Sequence, residues 1–443
     1  MLYDKQQMSA VVDTPGFTPP PAPAPPPGDR PRGGTFASLR VPNYRLYAGG
    51  QVVSLVGTWM QRIAQDWLVL DLSGGSPAAL GIATALQFAP TLLLSLWGGV
   101  LADRVDKRRM LMLLQIGMGL CALVLGLAVV TGFAALLQVY IFCAVLGCFS
   151  ALDMPMRQSF VSELVGPGQV TNAVALNSMT FNLARIVGPA VAGVLIAAVG
   201  SGWVFLINAA SFAGVVTALL LMRPERLFRS ERVRRAPGQL REGLRYVRAR
   251  PDLVGVLAMV FLVSAFAINF PVTIPVLARN VFGGTAESYG LMTTLIAVGS
   301  VVGATVAARR TSVPPVRFVV LTGVAFGVLL AVVGLMPTFA SAGVVLVAVG
   351  LSALLFTTAA NAFVQLSVAP EVRGRVMGLY MMLFLGSTPL GAPLLGIVAE
   401  QWGGRAPLLL GGALTVVSVL IVAVVLALRG RARVERSQAE ACA

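Results

Sequence analysis

Long apolar runs alternate with short polar breaks along almost the whole chain. A hydrocarbon core of ~30 Å takes about 20 mostly apolar helical residues. By that ruler the pattern predicts twelve spans, at 44–70, 78–102, 110–130, 134–152, 171–199, 203–222, 253–277, 288–308, 316–335, 339–363, 376–399 and 407–428. Two features break the series into blocks. Residues 1–35 are Pro-rich and polar, which reads as an extended tail, and they lack the basic start and apolar core of a signal peptide. Residues 223–250 hold ten arginines against three glutamates. The expected organisation is an N-terminal six-helix bundle at 36–222, a basic linker at 223–250, a second bundle at 251–428 and a tail at 429–443. The fold class is an all-α polytopic membrane protein with two related bundles.

Composition sharpens this picture. Hydrophobic residues make up 57% of the chain and charged residues 12%, whereas a soluble domain is about a quarter charged. Too few charges are present to cover a soluble surface of this size. The net charge of +15 would suit nucleic acid, but the basic residues sit in breaks and tails between apolar runs. That is the positive-inside bias of bilayer proteins, so the expected partners are lipid and a small-molecule substrate, with no nucleic acid and a single copy of the chain. The strongly basic breaks all fall on one side. Both termini are therefore expected in the cytoplasm, with the chain threaded through the cytoplasmic membrane.

The same counts limit the chemistry. There is no histidine, so a titrating group within the membrane has to be a carboxylate. The four cysteines form no C-x-x-C pair and suggest neither a disulfide framework nor a metal site. No G-x-x-x-x-G-K-[S/T] phosphate loop occurs. An enzyme is not expected, nor a cofactor. Energy for any transport would come from an ion gradient or from the substrate's own gradient.

The halves repeat. At an offset of 203 positions Phe160-Val161 matches Phe363-Val364, Pro167 matches Pro370, Met179 matches Met382, Gly188 matches Gly391 and Gly193 matches Gly396. Gly99 and Gly303 both lie near the end of the second span of their half. Between spans 2 and 3 the chain reads Gly99-x-x-x-Asp103-Arg104-x-x-Lys107-Arg108. This resembles the loop 2–3 signature of the major facilitator superfamily, with Asp106 where that family usually has Gly. In the second half Ala307 stands where the acid would be. Further stretches are similar to the bacterial drug:proton antiporter branch of that superfamily, which includes the enterobactin exporter and macrolide-efflux proteins. They are W-M-Q-R-I-A-Q-D-W (59–67), D-M-P-M-R-Q-S-F-V-S-E-L-V (153–165), N-S-M-T-F-N-L-A-R-I-V-G-P (177–189) and A-P-E-V-R-G-R-V-M-G-L (369–379). The resemblance spans about 36–428. It implies two parallel six-helix repeats that rock about a central cavity and export small amphipathic molecules against protons, as multidrug efflux pumps do. A dedicated siderophore or natural-product exporter is one alternative, and a lipid transporter or non-transporting membrane partner is another.

A charge within hydrocarbon is costly and so marks function. Arg62 and Asp66 are four apart in the first span and share a helix face. Asp66 is the only acid well inside any span and is the proton-site candidate, unless it merely pairs with Arg62. Gln61 and Gln65 flank them. Arg185 in the fifth span, Gln87 in the second and Asn269 in the seventh complete the candidate substrate and proton site. Asn208 in the sixth is a weaker one. On the basic side Gly99, Asp103, Arg104, Arg108, Asp153, Arg157, Glu163, Arg373 and Arg375 are candidates for a gate that latches the halves together.

Overall fold

Pro42 opens the first long helix from the position where a missing N–H costs nothing. The computed structural model describes residues 34, 36–102, 105–228, 239–309 and 313–442. The first half holds α1 (Pro42–Leu72), α2 (Pro77–Ala102), α3 (Lys107–Val130), α4 (Leu136–Val165), α5 (Val170–Val199) and α6 (Ser201–Leu221). The second holds α7 (Pro251–Phe266, resuming as Phe270–Val276), α8 (Ala286–Ala308), α9 (Val316–Leu335), α10 (Phe339–Ser367), α11 (Pro370–Gly386, resuming as Thr388–Trp402) and α12 (Ala406–Cys442). A short helix, Gln239–Arg248, lies in the basic linker.

Among the described residues, eleven helical segments are long and apolar enough to cross a membrane. The exception is α1. It is 31 residues long, but Gln51, Gln61, Arg62, Gln65 and Asp66 interrupt its apolar run. Several of these are buried, with Gln61 at 2%, Gln65 at 1% and Asp66 at 5% exposure. This polar helix is enclosed by α5 and α6. Large apolar side chains such as Leu93, Val124, Leu137, Phe133 and Val344 point outward instead, a surface suited to lipid rather than water.

Packing repeats between the halves. Helix α2 packs on α4, α3 on α6, and α1 on α5 and α6; equivalently α8 packs on α10, α9 on α12, and α7 on α11 and α12. The duplicated glycines sit at matching close approaches. Gly147 lies against the Gln87 carbonyl, and Gly350 against that of Ile296. Gly188 in α5 abuts α1 at Trp59 and Val56, and Gly391 in α11 abuts α7 at Ala265. A side chain at Gly147, Gly350 or Gly391 would collide with a carbonyl, and one at Gly188 with the Trp59 Cβ, so only Gly lets the helices approach. Gly200 and Gly403, with φ of 85° and 87°, end α5 and α11 in a conformation that other residues rarely adopt.

Two expected loops are helix. The stretch 153–165 continues α4, and 370–375 begins α11. Both are more polar than a span, which marks where a helix leaves the apolar layer rather than where it ends. The last helix likewise runs through 429–442. Asp106, which departs from the family signature, caps α3: its Oδ1 accepts from the Arg109 N–H at 3.0 Å. That bond satisfies one of the free donors at a helix start.

Candidate functional site

The halves meet along two seams, α5 on α8 and α2 on α11. Gly193 fits against Ala286 and Glu287, and Gly290 against the Pro189 carbonyl. At the other seam Gly396 fits against Pro77 and Ala78, and Gly81 against the Ala392 carbonyl. These contacts lie toward the end carrying the 73–76 and 282–285 connections, opposite the basic linker; we call it the neutral end. Polar contacts close it further. Asp71 pairs with Arg279, which also lies over the Trp67 ring at 5.3 Å. The Asn280 amide donates to the Gly75 carbonyl at 3.0 Å. Glu400, from the second half, accepts from Ser76 Oγ at 2.9 Å and from the Ala78 N–H at 3.2 Å. It thereby caps the first turn of α2 from across the seam.

Beneath this closure is a cavity of about 400 Å³ between the halves. Of the candidate site residues, Arg62, Asp66, Gln87 and Arg185 line it. The remaining three candidates do not. Gln61 accepts from Asn208 Nδ2 at 2.6 Å and ties α1 to α6. Gln65 donates to Gln87 Oε1 at 3.0 Å, which holds α2 in place. Asn269 donates to the Ser264 and Ala265 carbonyls at 3.1 and 2.6 Å. Those carbonyls are freed where α7 breaks ahead of Pro271, so Asn269 repairs the break.

The alternative reading of Asp66, an ion pair with Arg62, is not what forms. Asp66 Oδ2 instead accepts from the Tyr289 hydroxyl at 2.6 Å. Tyr289 belongs to α8, so this bond crosses between the halves inside the cavity. The Arg62 guanidinium lies over the Trp59 ring at 5.0 Å, one helical turn away, where the ring quadrupole attracts it. Trp59 is held edge-on by Phe181. Arg185 donates to Asn182 Oδ1 at 3.2 Å, and its buried Nε has no partner. The second half supplies Ser264, Thr293, Ser300, Thr357 and Thr388 with Phe270 and Phe384, but no charge. Tyr289 escaped the sequence reading because a phenol among apolar residues carries no charge signal.

At the basic end, Asp153, Arg157 and Glu163 stand on α4. Asp153 accepts from Arg157 Nη2 at 2.5 Å and from Gln115 at 2.8 Å; Arg157 also reaches Gln51, and Glu163 pairs with Lys107. Arg108 donates to the Leu219 and Leu220 carbonyls at 2.7 and 3.2 Å, a cation on a helix C-terminus. These bonds hold the first half to itself. Arg373 donates to the Val368 carbonyl at 3.5 Å within the second half, and Arg375 is half-buried nearby. Gly374 and Gly378 on the same face of α11 adjoin open space. Gly99 lies within α2. Asp103 and Arg104, the core of the expected latch, lie outside the described residues.

A family model described as a transmembrane secretion effector matches residues 33–440. The chain is 28% identical over 363 residues to the staphyloferrin A transporter of Staphylococcus aureus, an alignment covering 81% of this chain and 90% of that one. It is 25% identical over 391 residues to the enterobactin exporter EntS of Escherichia coli O1:K1, covering 88% and 93%. Among solved structures it resembles a bacterial homologue of the human lysosomal transporter Spinster in an inward-facing, occupied conformation. There the TM-score is 0.66 at 16% identity, covering 87% and 96%. The nucleoside transporter NupG gives a TM-score of 0.71 at 11% identity, covering 86% and 98%.

Proposed function

Since the chain belongs to the transmembrane secretion effector family of major facilitator transporters, we propose that it exports small amphipathic molecules by alternating access, driven by proton entry through Asp66. The observation that carries this reading is the Tyr289–Asp66 bond, which joins the halves inside the cavity. An ionised carboxylate accepts a hydroxyl about twice as strongly as a neutral acceptor. A proton arriving on Asp66 weakens the bond and frees α8 from α1, so protonation and domain rocking share one atom pair. With the basic end in the cytoplasm, the closed neutral end faces outward, and the state described here is inward-facing.

Siderophore export is the favoured form of this activity. Both relatives named above carry siderophores by their names, staphyloferrin A and enterobactin. The basic-end residues Asp153, Arg157, Glu163, Arg373 and Arg375 remain the proposed gate of the opposite, outward-facing state, together with Gly99, Asp103, Arg104 and Arg108.

The test is transport in proteoliposomes under an imposed pH step, with a panel of siderophores, macrolides and lipophilic cations. Wild-type protein should move at least one panel member and carry protons the other way. Asp66→Asn should retain binding and lose the coupled proton flux. Substrate-driven proton flux that survives Asp66→Asn would remove Asp66 from the mechanism.

A further inference from the structure

Arg185 is a half-buried cation without an acid. Among the described residues no carboxylate pairs with it. Its single bond is to the amide oxygen of Asn182, one turn back on its own helix, and its Nε is left without a partner. A guanidinium whose inward Nε is shut off from water and left unbonded carries a desolvation cost that a visiting acceptor would relieve. The neighbourhood adds to the imbalance. Charged side chains lining the cavity are Arg62, Asp66 and Arg185, two cations and one acid. That acid is already engaged by Tyr289. A cationic solute would therefore enter a cavity whose one carboxylate is occupied and whose two guanidiniums repel it.

Arg62 and Arg185 are also staggered. Gly188 packs against Trp59, placing α1 and α5 level at that point. Arg62 is one turn past Trp59, and Arg185 is one turn before Gly188. The two helices run the same way, so the two residues sit about 9 Å apart along the helix axes. Between and opposite them are Trp59, Phe88, Phe270 and Phe384, which suit an apolar or aromatic body.

We infer that Arg185 anchors an anionic oxygen group of the transported molecule, so that the cavity selects carboxylate-bearing amphiphiles over cations. This rests on the transport reading above and names the substrate class of the same site. A guanidinium meets a carboxylate bidentately, and a ligand oxygen would satisfy the free Nε. Arg62 would meet a second anionic group of an extended solute.

Three dansyl compounds share one aromatic body and differ in charge: dansylglutamate, dansylamide and dansylcadaverine. Binding to the full chain in nanodiscs is read by energy transfer from tryptophan. Dansylglutamate should bind tightest and dansylcadaverine weakest, at least about 10-fold apart. Arg185→Gln should weaken dansylglutamate by about 10- to 100-fold and leave dansylamide within about two-fold. Arg185→Lys should keep part of the preference. Thermal stability separates a ligand anchor from a structural residue, because an anchor's removal relieves an unpaired charge and leaves the melting temperature unchanged or higher. Equal binding of the cation, an unaltered preference in Arg185→Gln, a marked loss of stability in that variant, or no binding of any probe would each overturn the inference. The transport reading fails separately. Its reporter is thiol labelling of Ala78→Cys at the α2–α11 seam in a cysteine-free background, which should rise after an imposed pH step whether or not any dansyl compound binds.

Discussion

The two halves share a frame and differ in what hangs from it. Close approaches repeat glycine for glycine: Gly147 with Gly350, Gly188 with Gly391, Gly193 with Gly396. Charge does not repeat. The first half brings Arg62, Asp66 and Arg185 to the cavity, whereas the second brings hydroxyls and rings. The packing of α5 on α1 and of α11 on α7 sets Val56 against Ala265 as equivalents, 209 positions apart. Counted along the chain at that offset, Arg62 and Asp66 fall at Pro271 and Pro275, just past the break in α7. Where one half holds Arg62 and Asp66, the other holds two prolines and a broken helix. Backbone contact tolerates no change, so duplication preserved it. Cavity side chains were free to diverge, and the result is a charged half facing a neutral, bendable one.

The most damaging changes should respect the symmetry. Gly147→Leu and Gly350→Leu each push a side chain into a carbonyl of the neighbouring helix, and each should cost about 3 kcal/mol. Thermal melting in detergent checks this, and a half that tolerates its substitution would break the comparison. Function should instead be one-sided. Asp66→Asn should lower proton-driven transport by about 100-fold or more, while Pro275→Ala, its equivalent, should leave proton coupling in place; proton flux assays measure both.

Tyr289→Phe should have a smaller effect. It deletes one hydrogen bond to a charged group, worth about 1.5–3 kcal/mol, and should shift the protein toward a state open at the neutral end. Distances between spin labels on the two halves would show the shift, and an unchanged distribution would detach Tyr289 from the coupling. Least affected should be Asp71→Asn. The Asp71–Arg279 pair is partly exposed, and such pairs contribute up to about 1 kcal/mol. Its opening should change by less than about five-fold at low salt and not at all at 1 M salt, in the same spin-label measurement.

Much of this was legible in the sequence because membranes enforce simple rules. Apolar run lengths predicted the spans, and a constant offset exposed the repeat. Arg62, Asp66 and Arg185 stood out because charge is rare in hydrocarbon. Gln61, Gln65 and Asn269 carry the same polar signal yet serve helix contacts and a helix break; only the direction of a side chain distinguishes the two uses. Tyr289 and the Asp71, Arg279 and Glu400 closure were not legible. Their partners lie 223, 208 and more than 300 positions apart, and no local pattern marks such pairs. The stretch 153–165 read as a loop because its polarity masked a helix that extends beyond the apolar layer.

Glu400 has one more consequence. The amide of Ala78 is protected by a carboxylate that belongs to the opposite half. If the halves swing apart as proposed, that amide loses its acceptor. Deuterium uptake at a single backbone position would then count door openings, with no label attached and no substrate required.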